Sequence, residues 1–414
     1  MSDRLSRTDF EKLDAEDPLA SFRDEFALPE GLIYLDGNSL GALPKATAGR
    51  VNDLIERQWG QDLIRSWNSN NWIDLPFRVG ANIARITGAH SHEVIACDIT
   101  TINIFKLLTG ALSLRPGRRV ILAEQRDFPT NLYIAQGVDK LLGPRAELKL
   151  VDREALAESI DDSVAVVLST HVSYRQSHMH HMATVTKKAH DAGALMCWDL
   201  CHSAGAVPVD LNACGVDLAV GCGYKYLNGG PGAPAFLYIA ERHQDDIEPY
   251  LSGWMGHAAP FDFVDDYKPA LGIRRMLAGT PPVIGLTALD VGTEILTRTD
   301  MQTVRAKSVK QGELFLRLIE QRLSGHGFRL ACPEDAAERG SQVTIAHDQG
   351  YAIMQALIDR HVIGDFRAPD IVRFGFTPLY VRYSDIWDAV DVLADIMESR
   401  AWDIPEYRAR KAVT

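Results

Sequence analysis

Alternating strands and helices between residues 90 and 240 constrain the fold more than any other feature of the sequence. Short apolar runs typical of strands occur at four places: 118–124, 163–170, 195–200 and 216–223. The segment 182–194 has helical character, and Gly193 is suited to ending that helix. Strands separated by helices predict an α/β fold with a large, mostly parallel sheet that helices cover on both faces. Ligands of such sheets bind beyond the carboxyl ends of the strands.

The chain of 414 residues is long enough for a large domain and a smaller one. We place the large, ligand-binding domain at 46–290 and a smaller C-terminal α/β domain at 291–414. Residues 1–45 are expected to form an N-terminal arm and part of the small domain. The segment 288–323, near the predicted boundary, has the composition of one long helix.

Charge and composition exclude several classes of protein. The net charge is −12 and the chain has no basic run of five residues, so we expect no nucleic-acid partner. The N-terminus lacks the apolar run of a signal peptide, and no stretch of about 18 apolar residues predicts a membrane span. The six cysteines are thinly spread in mostly apolar surroundings. Such usage is typical of reduced proteins of the cytoplasm, which is the predicted location.

One lysine, Lys225, lies between two tyrosines in the stretch GYKYLNGGPG (223–232), directly after a predicted strand. Burial favours the neutral amine of a lysine, and a neutral amine condenses with carbonyl groups. Asp199 and His202 lie at and just after the end of an earlier predicted strand. A lysine amine, a carboxylate and a phosphate site are together what pyridoxal phosphate requires. The alternative is an ordinary lysine on the protein surface.

A candidate phosphate site lies further upstream. Thr100 and Thr101 precede an apolar helical run, where free N–H groups and the helix dipole favour an anion. The alternative is a threonine that only caps the helix. After another predicted strand, Phe128 is suited to stacking on a flat ring, and Thr130 and Asn131 are suited to hydrogen-bonding it. The alternative is that these are a core side chain and helix caps.

Nine stretches, in one order along the chain, carry a resemblance to a known family. They are YLDGNSLG (34–41), LIRSWN (63–68), TTINIFKLL (100–108), DFPTN (127–131), WDLCHSAG (198–205), GYKYLNGGPG (223–232), GWMGH (253–257), AGTPP (278–282) and RFGFTPLY (373–380). On these stretches the chain resembles kynureninase, a pyridoxal-phosphate hydrolase of the aspartate-aminotransferase-like fold, fold type I. The combination of GNSLG and YKYLNGGPG is the most specific part of the resemblance.

The resemblance implies a role for each residue that matches a family motif. Lys225 is expected to hold the cofactor covalently, Asp199 to pair with its pyridine nitrogen, and Tyr224 to reach its phosphate and donate a proton. These three are the predicted catalytic residues. The cofactor-binding set adds residues from several motifs: Thr100, Thr101, Phe128, Pro129, Thr130, Asn131, Thr170, His202, Trp254 and Thr280. The predicted substrate-binding residues are Ser39, Trp67 and Arg373.

The implied reaction is hydrolysis of L-kynurenine to anthranilate and L-alanine by cleavage of the Cβ–Cγ bond, a step of tryptophan catabolism or of NAD-related metabolism. Arg373 is expected to clamp the α-carboxylate of the substrate, a task suited to a planar guanidinium. Trp254 and Thr280 are expected to complete the cofactor site of a partner subunit, which implies a homodimer. Trp67 and Thr280 also resemble the residues of bacterial kynureninases that favour unsubstituted kynurenine.

Three alternatives to this function remain open at the level of sequence. The chain could instead prefer 3-hydroxykynurenine as its substrate. It could be a lyase related to cysteine desulfurases, although the setting of Cys332 does not match the mobile catalytic cysteine expected there. It could also bind the cofactor without turnover, an alternative that the presence of Lys225, Asp199 and Arg373 disfavours.

The stretch SYRQSHMHHM (173–182) departs from the family pattern. Gln176 and Ser177 stand where kynureninases usually carry Thr or Ser and then Gly. Three histidines share the stretch: His178, His180 and His181. Histidines are good metal ligands, but the family needs no metal. We expect a solvated, histidine-rich loop and no metal ion.

Overall fold

The computed structural model describes residues 4–410; the ends of the predicted arm and small domain, 1–3 and 411–414, lie outside the described residues. The strands in chain order are β1 (Ile33–Tyr34), β2 (Val94–Ala96), β3 (Val120–Glu124), β4 (Glu147–Val151), β5 (Val164–Thr170), β6 (Leu195–Asp199), β7 (Leu218–Gly221), β8 (Phe236–Ile239), β9 (Arg329–Leu330), β10 (Gln342–Ala346), β11 (Val362–Ile363), β12 (Asp365–Arg367) and β13 (Ile371–Gly375). The α-helices in chain order are α1 (Arg7–Ala15), α2 (Lys45–Asp53), α3 (Ser66–Ser69), α4 (Leu75–Thr87), α5 (Thr100–Leu114), α6 (Pro129–Leu142), α7 (Met182–Asp191), α8 (Glu241–Gln244), α9 (Val283–Leu296), α10 (Met301–Leu323), α11 (Gly350–Asp359), α12 (Tyr383–Ser399) and α13 (Pro405–Arg408).

The described residues form two compact units. The large unit comprises 46–171 and 180–298, and the small unit comprises 4–45, 172–179 and 299–410. The structure thus divides the chain after Arg298 and assigns the short segment 172–179 to the small unit. The predicted domain limits themselves stay a prediction.

A seven-stranded sheet in the order β2-β8-β7-β6-β5-β3-β4 forms the centre of the large unit. The five strands from β7 to β4 are parallel to one another, and β8 runs antiparallel to both β2 and β7. All four predicted strands are present as β3, β5, β6 and β7. The structure therefore confirms the predicted α/β fold with a mostly parallel sheet.

The central strands are buried along their whole length. Every residue of β3, β5 and β6 is buried, as the continuous apolar runs predict for a parallel sheet covered on both faces. Helix α5 packs on this sheet through Ile104, Leu107 and Leu108, all fully buried. Burying one such side chain contributes about 1.5–3 kcal/mol to stability. This packing fixes the start of α5 relative to the strand ends.

The helices that follow the strands begin and end at the expected residues. Helix α6 has Pro129 at its first position, where the missing N–H costs no helical hydrogen bond. Helix α7 is capped by His181, whose Nδ1 accepts the Thr184 N–H at 3.3 Å. After α7, Gly193 adopts a φ of +76°, which confirms its predicted role in ending that helix.

The prediction of one long helix at 288–323 is wrong. The structure has two helices there, α9 and α10, with a break between Leu296 and Met301. Asp300 causes the new start, because its Oδ2 accepts the Thr303 N–H at 3.0 Å as an N-cap. The hydroxyl of Thr297 bonds back to the carbonyl of Glu294 at 2.8 Å, which ends α9.

The small unit contains a four-stranded antiparallel sheet in the order β12-β13-β10-β9 and a parallel pair of β1 with β11. Phe315 of α10 packs on Phe374 of β13 with ring centroids 4.8 Å apart. Helix α1 of the N-terminal arm packs on α12 through Phe10 and Trp387, 5.5 Å apart. Within residues 4–410, no helix is both long and apolar enough to cross a membrane.

Candidate active site

The carboxyl ends of neighbouring strands place most of the predicted cofactor residues close together. Thr170 ends β5 and Asp199 ends β6, and the two are opposite each other in the register of these strands. Lys225 lies just beyond the end of β7, the next strand of the sheet. Asn131 lies in the first turn of α6, beyond the end of β3. All four side chains are buried.

Asp199 is held by donors on both of its oxygens. Its Oδ2 accepts a hydrogen bond from Asn131 Nδ2 at 2.9 Å, and its Oδ1 accepts the Cys201 N–H at 2.8 Å. The same Asn131 amide donates to Thr170 Oγ1 at 3.1 Å. Asp199 is 2% exposed, so these bonds replace water around the carboxylate. The arrangement fixes the orientation of a buried acceptor at the strand end.

Lys225 is buried, with 8% of its surface exposed, so the alternative of an ordinary surface lysine is wrong. Its Nζ lies 3.0 Å from His202 Nε2. The rings of Phe128 and Tyr224 lie near the amine, with centroids 5.6 and 5.7 Å from Nζ. Burial raises the pKa of Tyr224, which keeps its hydroxyl protonated. A nitrogen nucleophile, a histidine and a phenol therefore share one small volume.

Glycines on both sides of Lys225 are required by close backbone packing. A Cβ on Gly223 would lie 2.3 Å from the carbonyl oxygen of Pro234, and one on Gly229 would lie 2.7 Å from the carbonyl oxygen of Gly223. Asn228 between them adopts a φ of +55°. Only glycine fits at positions 223 and 229. The turn that these glycines permit holds Lys225 at the strand end.

The start of α5 has the features of an anion site. Thr100 and Thr101 are its first residues, and the N-cap position is Ile99, whose side chain makes no capping bond. The alternative of a threonine cap is therefore wrong. The helix begins with backbone N–H groups that no side chain of the described residues caps, where the helix dipole favours negative charge. Thr100 Oγ1 lies 3.9 Å from Cys201 Sγ, beside the loop that follows Asp199.

One residue of this site, Asp127, was missed in the sequence. Its carboxylate accepts the Thr170 hydroxyl and backbone N–H and, at 2.6 Å, the Phe128 N–H. Burial raises the pKa of Asp127 to about 7, and the charge of Asp199 adds to the effect. The signal was present, because Asp127 opens the DFPTN stretch and stands four residues before Asn131, one helical turn away.

The expectation of a solvated histidine-rich loop is wrong for His180. Its side chain is 10% exposed and its Nε2 hydrogen-bonds to the buried carboxylate of Glu124, the last residue of β3. His181 is exposed and caps α7, and His178 pairs through its backbone with Arg339 in the small unit. In the part of the chain that the structure describes, no group of three metal-binding side chains has the geometry of a metal site.

The small unit brings Ser39 and Arg373 together. Arg373 on β13 stands opposite Asp365 on β12, and its Nε donates to Asp365 Oδ1 at 2.6 Å. Ser39 Oγ donates to Asp365 Oδ2 at 2.7 Å and accepts from Arg373 Nη2 at 3.2 Å. Burial raises the pKa of Asp365, but the bonds from Arg373 outweigh it and lower that pKa below its usual value. The carboxylate therefore stays charged and fixes the guanidinium, which is 1% exposed.

Three other predicted residues, Trp67, Trp254 and Thr280, lie in the large unit. Trp67 makes an edge contact with Trp72, with centroids 5.8 Å apart. Trp254 is 41% exposed and contacts the rings of Phe261 and Phe263. Thr280 is exposed just before α9. The roles of Trp67, Trp254 and Thr280 stay predictions.

Comparison with known proteins identifies the family. The family model for the kynureninase C-terminal domain matches residues 304–393. A kynureninase of Burkholderia mallei (strain SAVP1) is 50% identical over 407 residues, which cover 97% of this chain and 98% of that protein. The chain belongs to the kynureninase family. A kynureninase of Pseudomonas fluorescens is 48% identical over 414 residues, covering 99% of this chain and 100% of the relative. The predicted resemblance is confirmed.

Solved structures give independent evidence for the fold of this member of the kynureninase family. The apo cysteine desulfurase of Thermococcus onnurineus NA1 superposes with a TM-score of 0.76 at 18% identity and covers 92% of this chain and 98% of its own. A mutant of C-DES with glycine covalently linked to its PLP cofactor also has a TM-score of 0.76, at 17% identity, covering 95% and 100%. These likenesses confirm the predicted fold type I. At such identities they carry no information on the substrate.

Proposed function

We propose that this chain hydrolyses L-kynurenine to anthranilate and L-alanine with pyridoxal phosphate as its cofactor. The observation that carries the proposal is the identity of 50% and 48%, over nearly the full chain, to two relatives named kynureninase. The arrangement at the strand ends of the large unit supports it, because a buried amine, a buried carboxylate and an anion-binding helix start occur together.

The side chains of the large unit fit pyridoxal phosphate in their chemistry. Lys225 offers the amine that bonds the cofactor's aldehyde carbon, Asp199 offers the carboxylate for its ring nitrogen, and the start of α5 offers N–H donors for its phosphate. Asn131 Oδ1 is a buried oxygen without a hydrogen-bond partner among the described residues, as expected beside a site for a polar ligand. When bound, the cofactor supplies an electron sink for the bonding electrons released at the substrate Cα.

Different residues around Lys225 serve the separate proton transfers of the reaction. The Lys225 amine takes the proton from the substrate Cα, and His202, 3.0 Å away, orients that amine. Tyr224 is protonated because burial raises its pKa, so it serves as the proton donor when alanine is released. Asp199 would keep the ring nitrogen of a bound cofactor charged, and Asn131 holds Asp199 in place. Phe128 supplies a flat apolar surface near the amine.

Three further proposals concern the substrate and the partner subunit. Arg373 binds the α-carboxylate of the substrate, with its guanidinium held by Asp365. Trp67 and Thr280 select kynurenine over 3-hydroxykynurenine, because an indole N–H offers no acceptor for a ring hydroxyl. The chain acts as a homodimer in which Trp254 and Thr280 complete the partner's cofactor site. The 41% exposure of Trp254, beside two exposed phenylalanines, suits a surface that another subunit covers.

The experiment that tests the function is a substrate comparison with purified protein and added pyridoxal phosphate. L-kynurenine should give anthranilate and L-alanine in equal amounts, and L-cysteine should give no sulfide or alanine. Cys332→Ala is a suitable control, since Cys332 is buried and accepts the Thr344 N–H at 3.5 Å. Release of sulfide from L-cysteine that Cys332→Ala abolishes, without any anthranilate from L-kynurenine, would replace the proposal by the desulfurase alternative.

A further inference from the structure

Two cysteines that the proposed reaction does not use lie beyond the ends of neighbouring strands. Cys201 follows β6, and Cys222 follows β7. These strands are parallel, with Asp199 opposite Val220, and the Leu200 N–H donates to the Val220 carbonyl at 2.7 Å. Cys201, in the turn after β6, and Cys222, directly after β7, therefore leave the sheet next to each other. At the last paired residues the two strands lie about 4.8 Å apart, which is inside the Cα separation of about 4.4–6.8 Å that a disulfide needs.

The two thiols also contact each other. The thiol of Cys201 hydrogen-bonds to that of Cys222, and Cys222 Sγ lies 3.8 Å from the Cys201 carbonyl oxygen. Burial raises the pKa of Cys222, but the bond from Cys201 and the charge of Lys225 outweigh it and lower that pKa. The same bond and burial raise the pKa of Cys201. One thiol is therefore suited to attack and its neighbour to resolve the product.

We propose that Cys201 and Cys222 form a site of reversible oxidation, which a hydroperoxide converts into a disulfide across the ends of β6 and β7. The Cys222 thiolate attacks a peroxide oxygen, the O–O bond breaks, and the sulfur becomes a sulfenic acid while the leaving oxygen takes up a proton. Cys201 sulfur then attacks Cys222 sulfur, and hydroxide leaves with the Cys201 proton as water. With hydrogen peroxide, two thiols are oxidised, one peroxide is reduced, and the products are one disulfide and two waters.

The disulfide would act directly on the proposed cofactor site. The Cys201 N–H donates to Asp199 Oδ1 at 2.8 Å, and Cys201 Sγ lies 3.9 Å from Thr100 Oγ1 at the start of α5. Lys225 follows Cys222 by three residues. A covalent link between the two strand ends therefore changes the support of the carboxylate, of the anion site and of the lysine. This effect on the cofactor rests on the proposed function, whereas the oxidation itself does not.

The test is peroxide treatment of the full-length holoprotein, followed by alkylation of the remaining thiols and peptide mass mapping. A protease that cleaves before aspartate separates Cys201 from Cys222, because it cuts at Asp210 and Asp217. The disulfide then joins the peptides 199–209 and 217–244. Cys214→Ser is the matched control, since Cys214 is a partly exposed thiol on the peptide between them. Cys201→Ser removes one member of the pair.

The expected result is a link between the two peptides in the unmodified chain and in Cys214→Ser, its absence in Cys201→Ser, and its loss after reduction with dithiothreitol. The Kd for pyridoxal phosphate, measured by visible absorbance, should rise about tenfold on oxidation, which is about 1.4 kcal/mol. Oxidation of Cys214 while Cys201 and Cys222 stay reduced, or separate oxidation of the pair without a link, would overturn the site. A linked chain with an unchanged Kd would overturn its control of the cofactor.

Discussion

Replacement of Asp199 by asparagine is the perturbation whose effect the structure specifies most closely. Asp199 accepts Asn131 Nδ2 at 2.9 Å on one oxygen and the Cys201 N–H at 2.8 Å on the other. An asparagine has the same shape but a single oxygen, so its NH₂ group must face one of these two donors. One buried donor loses its partner, and the cofactor's ring nitrogen loses its countercharge.

The size of the loss follows from these contacts. A hydrogen bond to a charged group contributes about 1.5–3 kcal/mol, and a buried donor left without a partner costs about 1–3 kcal/mol. If the loss of one charged contact appears in the transition state, kcat/KM falls about 10- to 150-fold. The second donor and the missing countercharge on the cofactor act in the same direction, so this range is a lower bound.

The assay is kcat/KM for L-kynurenine from anthranilate fluorescence, at saturating pyridoxal phosphate, with circular dichroism to confirm folding. Asp217→Asn is the matched control. Asp217 is also 2% exposed, but it precedes β7 and accepts the Met196 N–H at 2.8 Å, at the opposite end of the strands. Its replacement should lower the melting temperature and leave kcat/KM of the folded protein unchanged. An unchanged kcat/KM in Asp199→Asn, or an equal loss in both variants, would refute the reasoning.

Three other predictions concern stability, assembly and specificity. Burial raises the pKa of Asp217, but bonds from two histidines and a backbone N–H outweigh it and lower that pKa well below its usual value. Because the folded pKa is depressed, Asp217 contributes stability above about pH 4 that is lost as the pH falls further. The melting temperature should therefore fall less between pH 5 and pH 2 in Asp217→Asn than in the unmodified chain. An identical fall in both proteins would contradict this. Trp254→Ala and Lys225→Ala should each be impaired but regain partial activity when their subunits are exchanged, because a mixed dimer holds one intact site; proven exchange without recovery would place Trp254 in the site of its own subunit. Competition kinetics should favour L-kynurenine over 3-hydroxykynurenine about 10- to 100-fold in kcat/KM, and the opposite preference would show that Trp67 and Thr280 do not set specificity.

The sequence predicts those parts of this fold in which a local pattern and the tertiary environment agree. Every residue of β5 is buried, so its continuous apolar run identifies it as a central parallel strand. The break between α9 and α10 was missed because only four residues, 297–300, separate the two helices. There the N-cap bond of Asp300 decides the local structure, and a single polar residue within a helical segment is a weak signal.

The site shows the same distinction. Residues marked by the local sequence were predicted, and contacts between residues distant in sequence were missed. Lys225 and Asp199 were found because strand ends and a family motif coincide with them. The partner of His180 was not found, since Glu124 is distant in sequence and meets it only through the folding of the sheet. The pairing of β6 with β7, which brings the neighbourhoods of Cys201 and Cys222 together, is likewise a property that no local stretch of sequence contains.

The central claim, that Lys225 drives hydrolysis of L-kynurenine, is tested most directly by one comparison. The unmodified chain, Lys225→Ala and Lys187→Ala are incubated with L-kynurenine and pyridoxal phosphate, and anthranilate and L-alanine are both quantified. Lys187 is the control, because its side chain is 73% exposed and pairs with Asp191 on the surface of α7. The unmodified chain and Lys187→Ala should form both products in equal amounts, while Lys225→Ala should be about 100- to 10,000-fold slower from loss of the proton-transferring group alone. Equal rates in all three proteins, or no anthranilate from the unmodified chain, would contradict the claim.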